Sequence, residues 1–291
     1  MILFSIIIFI RILLLLIGVA FITLLERLIL ALSQFRKGPN KTGLGGVIQP
    51  LIDGVKLLLK DFILPSQSFS FLFVLGASWT LLIIIIVWFA FKTVPFQGGP
   101  IIRIWFLALV LSLGVYGIFL SGLRGISKYR FLGGVRGCIQ RVRYEVRLAL
   151  VVFSFVFLQQ NSTFTLFRRI IIMSGLPFWF IRYIAETNRA PFDLAEGERE
   201  LIRGFNIEYR RLPFAFILVG EYGIVLCFSW LSSLIFLGGS LLFVGVLVFS
   251  RLVIRRTLPR FRYDKLVSFC WSILLPTTVL WTLFCYFSRG L

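Results

Sequence analysis

FSFLFVLGASWTLLIIIIVWFAF, running from Phe69 to Phe91, is 23 consecutive residues without a charge. About twenty apolar residues in a helix cross the hydrocarbon core of a bilayer, so this run predicts a membrane-spanning helix. The same ruler finds seven further runs at 2–25, 104–123, 140–161, 170–186, 213–231, 234–254 and 266–288. The last is as long and as free of charge as the Phe69–Phe91 run. The fifth ends in Arg182 and Glu186, and the first contains Arg11, which is expected to snorkel. The predicted fold is therefore an all-α polytopic membrane protein. It forms a single transmembrane domain over 1–291, with about eight spans and short amphipathic helices in the loops.

Composition narrows the function. With 59% hydrophobic residues and a mean hydropathy of +0.97, the chain exposes too much apolar surface for a soluble globule. Its net charge of +19 would suit nucleic acid only if the basic residues lay on a soluble face. They lie between apolar spans, so an anionic lipid surface is the expected partner, and no nucleic acid. The chain has no histidine, which removes haem ligation by His, most catalytic zinc sites and the usual proton shuttle. Cys138, Cys227, Cys270 and Cys285 form no C-x-x-C pair and read as buried structural thiols. No metal site and no bound redox centre is expected. The amino terminus lacks a basic n-region and a small-residue cleavage site, so it reads as a retained first span. The 33 phenylalanines fit an AT-rich organellar gene.

The charges sort onto two sides. Loops 1–2, 3–4, 5–6 and 7–8, with their bordering helix ends, hold 25 of the 31 basic residues and all twelve acidic ones, a net +13. The other side keeps Arg11, Lys92, Arg103, Arg168, Arg169 and Arg289. By the positive-inside rule the first side faces a bacterial cytoplasm or a mitochondrial matrix. No internal repeat is visible, which argues against transporters built from duplicated halves.

One loop concentrates the acids. AETNRAPFDLAEGERELIRGFNIEY (Ala185–Tyr209) holds Glu186, Asp193, Glu196, Glu198, Glu200 and Glu208, half of all the carboxylates. Pre-proline Ala190 is steered away from helix, and Asp193 with Glu196 reads as a helix start. If that helix continues, Glu196 and Glu200 share a face, Arg199 and Arg203 stack beside them, and Glu198 points away. Crowded carboxylates in a low-dielectric cavity share protons and titrate together, as a proton relay requires. The competing reading is a solvated acidic loop neutralised by its own arginines. Glu221, about nine residues into the sixth span, favours the relay, because a solvated loop has no use for it. Glu145 enters the fourth span in the same way, though Arg141 at i−4 offers it a structural ion pair.

The remaining charged loops have simpler local readings. In QFRKGPNKTGLGGVIQPLIDGVKLLLKD (Gln34–Asp61), Gly, Pro and Asn mark turns. Ile48–Lys60 then predicts an amphipathic helix, with Asp53 near Lys56. In SGLRGISKYRFLGGVRGCIQRVRYE (Ser121–Glu145), the glycine pairs predict turns and the arginines a membrane-surface anchor. RRTLPRFRYDKL (Arg255–Leu266) is a basic, aromatic interfacial anchor.

Together these stretches resemble one family. Glu26-Arg27, Arg36-Lys37-Gly38-Pro39-Asn40, Gln49-Pro50 with Asp53 and Lys56-Leu57, the Ser127-Lys128-Tyr129 to Tyr144-Glu145-Val146 core, the 185–209 loop and Pro259-Arg260-Phe261-Arg262-Tyr263-Asp264 occur in the order seen in subunit 1 of respiratory NADH:ubiquinone oxidoreductase (complex I). The resemblance implies a membrane subunit that anchors the redox arm and forms the ubiquinone access tunnel. FMN and iron–sulfur clusters would lie in partner subunits, and ubiquinone would be the substrate. Glu145, Glu186, Glu196, Glu198 and Glu221 would form the proton relay. Glu26, Arg27, Arg36, Asp53, Lys56, Arg189, Phe192, Asp193, Glu200, Glu208, Arg260 and Arg262 would line or brace the quinone cavity. The implied setting is the mitochondrial inner membrane, with other complex I subunits and an anionic lipid such as cardiolipin as partners. Departures from the family pattern add positive charge at Arg143, Arg147, Arg199, Arg210 and Arg211. Two rival readings are a stand-alone ion transporter and the related membrane subunit of a hydrogenase.

Overall fold

The computed structural model describes the backbone of residues 2–61, 70–90, 99–123, 127–159, 171–186, 188–194, 204–206 and 208–288, and every regular element among them is helical. Helix α1 (Ile2–Ser33) continues well past the expected end at residue 25. Helix α2 (Gln49–Leu59) is the expected amphipathic segment, with Pro50 in the first turn, where its missing N–H is no loss. Helix α3 (Ser70–Ala90) is the uncharged run. The third span is two helices, α4 (Gly99–Ser112) and α5 (Gly114–Leu123), interrupted at Leu113. The Leu113 carbonyl there accepts a hydrogen bond of 3.1 Å from the Trp79 indole N–H.

Helix α6 (Lys128–Gln159) corrects the reading of loop 3–4 as a string of turns. Gly133 and Gly134 lie within it, and the role of Gly134 is close packing. A Cβ on Gly134 would stand 2.7 Å from the Gly122 Cα, so α5 and α6 touch backbone to backbone there. Helix α7 (Leu176–Glu186) follows a kink at Gly175. Helix α8 (Arg211–Leu237) ends on Gly238, whose φ of 66° gives the left-handed cap that turns the chain into α9 (Leu241–Thr257). The last helix, α10 (Tyr263–Phe287), widens into a π-helical stretch at Phe269–Leu274. Pro276 just beyond supplies no N–H and crowds the preceding turn, a recognised cause of such widening.

Among the described residues, five segments are long and apolar enough to cross a membrane: Ile6–Ser33, Phe71–Ala90, Trp105–Leu123, Arg211–Leu237 and Tyr263–Phe287. The other three expected spans coincide with α6, the kinked segment ending in α7, and α9. Those helices are shorter or carry more charge, and much of that charge turns inward. Helix α8 is the most buried of the five and packs against α1, α3, α7 and α9. Around it Phe155, Trp179, Trp281 and Phe236 interlock edge to face, with ring centroids 5.4–6.2 Å from Phe155. The four cysteines are free and buried, as expected of structural thiols.

Candidate functional site

Helices α6 and α7 converge on Glu186, which is 4% exposed. Arg182, one turn earlier, places Nη2 2.7 Å from Glu186 Oε2. Arg141 of α6 places Nη1 3.6 Å from Oε1, and the same nitrogen donates to the Gly114 carbonyl at 3.4 Å. Arg141 therefore serves Glu186, although sequence spacing offered it to Glu145, which is half-buried on α6. Beside this pair, the Gln140 amide donates to the carbonyls of Ala185 (3.3 Å) and Phe192 (2.9 Å). It ties the end of α7 to the loop that follows.

That loop, residues 188–194, lies against α8 and the segment before α10. Arg189 Nη2 stands 3.4 Å from Glu221 Oε2, and its guanidinium lies 5.9 Å from the Tyr222 ring. Glu221 is buried ten residues into α8, where a charge with no partner would be strongly disfavoured. Asp193 pairs with Arg260 at 3.3 Å, and Phe261 N–H donates to the Pro191 carbonyl at 3.0 Å. The Phe192 and Phe261 rings stack at 5.6 Å, and Phe261 stacks in turn on Phe269 at 6.3 Å. Arg262 points elsewhere. It is exposed and pairs locally with exposed Asp264 at 3.4 Å.

A third carboxylate enters from α1. Glu26 is buried, accepts a 2.5 Å hydrogen bond from the Tyr222 hydroxyl and pairs with Arg255 of α9. Because Tyr222 follows Glu221 directly, α8 carries one acid and holds another. Next to Glu26, Arg27 bonds Asp53 of α2 at 2.5 Å, and Gln49 reaches the other Asp53 oxygen at 2.9 Å. Burial alone would raise the Asp53 carboxyl, but the Arg27 and Gln49 hydrogen bonds outweigh it and hold the group below its ordinary 3.8. Lys56 and Arg36 are exposed.

Glu208 anchors the far end of the acidic stretch. It accepts from Arg130 at 2.7 Å and from the Ser127 N–H and hydroxyl, each at 3.0 Å. Burial raises its carboxyl, yet the Ser127 and Arg130 bonds prevail and hold it below the ordinary 4.5. Glu196, Glu198 and Glu200, with the helix expected to start at Asp193, lie outside the described residues.

The structure thus brings Glu26, Glu186 and Glu221 into the interior, each with an arginine partner, and Asp193 and Glu208 onto the adjoining loops. Sequence reading missed Tyr222, Arg130, Arg182 and Arg255 as partners of these acids, and Gln140 as the tie between α7 and the loop after it. Only Arg182 carried a local signal, its i,i+4 spacing to Glu186. The others act across the fold.

Comparison with known proteins finds relatives along nearly the whole chain. The family described as NADH dehydrogenase matches residues 6–286. NADH-ubiquinone oxidoreductase chain 1 of Aedes aegypti is 41% identical over 281 residues, spanning 90% of this chain and 88% of that one. An NADH-quinone oxidoreductase subunit of Rickettsia africae (strain ESF-5) is 37% identical over 90% of this chain and 86% of its own. The like-named protein of Rhodospirillum rubrum is 34% identical over 91% and 87%.

Proposed function

Since this chain belongs to the NADH dehydrogenase family, as a membrane subunit of NADH:quinone oxidoreductase, we propose that it forms the quinone access tunnel beside the redox arm and begins the carboxylate path coupling quinone reduction to proton translocation. The observation that carries this reading is the set Glu26, Glu186 and Glu221: buried acids on three helices, each held by an arginine from elsewhere in the chain.

Such a set moves protons through exchange of ion-pair partners. A proton arriving on one buried carboxylate weakens its hold on the paired guanidinium, which is then drawn to the next charged acid. Arg141 and Arg189 already stand at 3.6 and 3.4 Å from their acids, looser than the 2.7 Å contact of Arg182. Little rearrangement is needed for an exchange. The stacked Phe192, Phe261 and Phe269 rings, with Asp193 and Arg260 beside them, would give the tunnel an apolar wall with a charged edge. Arg27 and Asp53 would brace α2 against α1 at its margin.

In this reading ubiquinone is the substrate, and electrons arrive from FMN and iron–sulfur clusters in partner subunits of the redox arm. The membrane is the inner mitochondrial membrane, with the charged loops toward the matrix and an anionic lipid such as cardiolipin against their basic residues. Glu145, Glu196 and Glu198 would belong to the same relay, and Glu200 to the charged margin of the cavity.

Glu→Gln replacement keeps shape and hydrogen bonding but removes the titrating proton. For Glu186→Gln, Glu196→Gln and Glu221→Gln, inhibitor-sensitive quinone reduction and proton pumping should fall together, by about tenfold or more per assembled complex. Full turnover and pumping in all three would overturn the proposal.

A further inference from the structure

Helices α1 and α3 leave a half-open cleft lined by Arg11, Ile12, Leu15, Ile85, Trp88 and Phe89. Arg11 brings the only charge to it. Its Nη1 is shut from solvent and forms no hydrogen bond. The nearest acid along α1 is Glu26, fifteen residues on, and Glu26 is already held by Arg255 and Tyr222. A cation in apolar surroundings is costly unless an anion meets it. All twelve acids of the chain fall on the side of the charged loops, so the anion must come from outside the chain.

Depth says which anion is at hand. Fifteen residues separate Arg11 from Glu26 on α1. Fifteen also separate Trp88 from Phe73 on α3, and Phe73 packs on Tyr209 and Arg130 at the charged end. At about 1.5 Å per residue each interval is about 22 Å. In a hydrocarbon core about 30 Å thick, that brings Arg11 and Trp88 close to the opposite headgroup layer, the level at which tryptophan is enriched. Ile7 and Leu14, a turn to either side of Arg11 on the same face of α1, are exposed and suit an acyl chain.

We propose that this cleft binds the phosphate of an anionic phospholipid from the leaflet opposite the charged loops, with Arg11 as its counter-charge. The guanidinium fork matches two phosphate oxygens at once. A zwitterionic lipid would bring an ammonium as well. The six basic residues assigned to this side have no acid among them, so nothing in this chain would take it. The site is separate from the carboxylate relay, since no relay residue lines the cleft.

The test uses the intact, assembled complex in nanodiscs of phosphatidylcholine and phosphatidylglycerol. A high-resolution map should place a lipid phosphate within hydrogen-bond distance of Arg11. An acidic side chain of a neighbouring subunit in that place, or a cleft with no headgroup, would overturn the proposal. Arg11→Leu suits a membrane span and should leave assembly intact. A photoactivatable phosphatidylglycerol should label the α1 segment around Arg11 in the wild-type complex and severalfold less in Arg11→Leu. Arg11→Lys keeps the charge and should retain most of the labelling. Equal labelling of wild type and Arg11→Leu would overturn the site. The phosphatidylcholine analogue should label wild type severalfold less than the phosphatidylglycerol one, and equal labelling by the two would overturn the preference for an anionic lipid. Both readouts are of bound lipid, so they stand or fall apart from the turnover of the Glu→Gln variants.

Discussion

Arg130 and Glu208 stand 78 positions apart, yet their side chains meet at 2.7 Å in a cage closed by two aromatic rings. The Arg130 guanidinium lies 4.7 Å from the Phe73 centroid and 4.5 Å from that of Tyr209, and its Nε donates to the Ser121 carbonyl at 2.8 Å. One wholly buried side chain thus binds α3, the end of α5, the start of α6 and the loop before α8. Glu208→Gln leaves that cation without its counter-charge. We expect a loss of about 3 kcal/mol, because an uncompensated buried charge is among the costliest single changes. The thermal midpoint of the complex and the yield of assembled subunit measure it.

Acid should act on the same contact. The Glu208 carboxyl is held below 4.5, so its contribution to stability is complete above that pH and is lost as pH falls through the lowered value. Thermal scans of the wild-type complex at successively lower pH should show an acid loss that is smaller in Glu208→Gln. Equal acid sensitivity in the two would remove Glu208 as the cause.

Topology follows from the side on which the loop charges fall. Single cysteines replacing exposed Lys60 and Thr257 should react with an impermeant thiol reagent only from the side that carries the charged loops, and one replacing Ser240 only from the opposite side. The four native cysteines are buried and free, which keeps the background low. Reaction of Thr257→Cys from the outer side would reverse the assigned orientation.

The Gly122–Gly134 contact leaves no room for a side chain. Gly134→Ala should push α5 and α6 apart and destabilise the subunit by about 1–3 kcal/mol, the usual range for overpacking. Gly45, whose added Cβ would meet nothing within 4 Å, sits at a φ of 67° and is a poor control. Gly54→Ala on exposed α2 meets nothing either and has no such backbone constraint, so it should be close to neutral.

Phe261 links the acidic loop to α10. Phe261→Ala removes both ring stacks, each worth about 0.5–1.5 kcal/mol beyond area burial. If these rings wall the tunnel, the variant should raise quinone KM more than it lowers kcat, and Phe261→Tyr should behave nearly as wild type. A lowered kcat at unchanged KM would place the rings away from the quinone path.

Features that depend on near neighbours along the chain were legible before any fold was known. Largely apolar length predicted a helix at each of the eight expected positions, and amphipathic spacing predicted α2. The partition of charge told which loops belong together, and the 185–209 stretch marked where the acids gather. Local rules failed where a residue's role is set by something distant. The Gly133-Gly134 pair looked like a turn because glycine is permissive, but α5 lies against Gly134, and packing overrides propensity. Arg141 looked like the partner of Glu145 because i,i+4 is the reach of one helix, yet α7 delivers Glu186 to it. Glu26 is joined to Tyr222 across 196 positions, and no periodicity carries that information. Which arginine answers which carboxylate became readable once the helices were packed, and not before. Inside an apolar protein a charge must find a counter-charge wherever the helices bring one, and the chain order of the two says nothing about it.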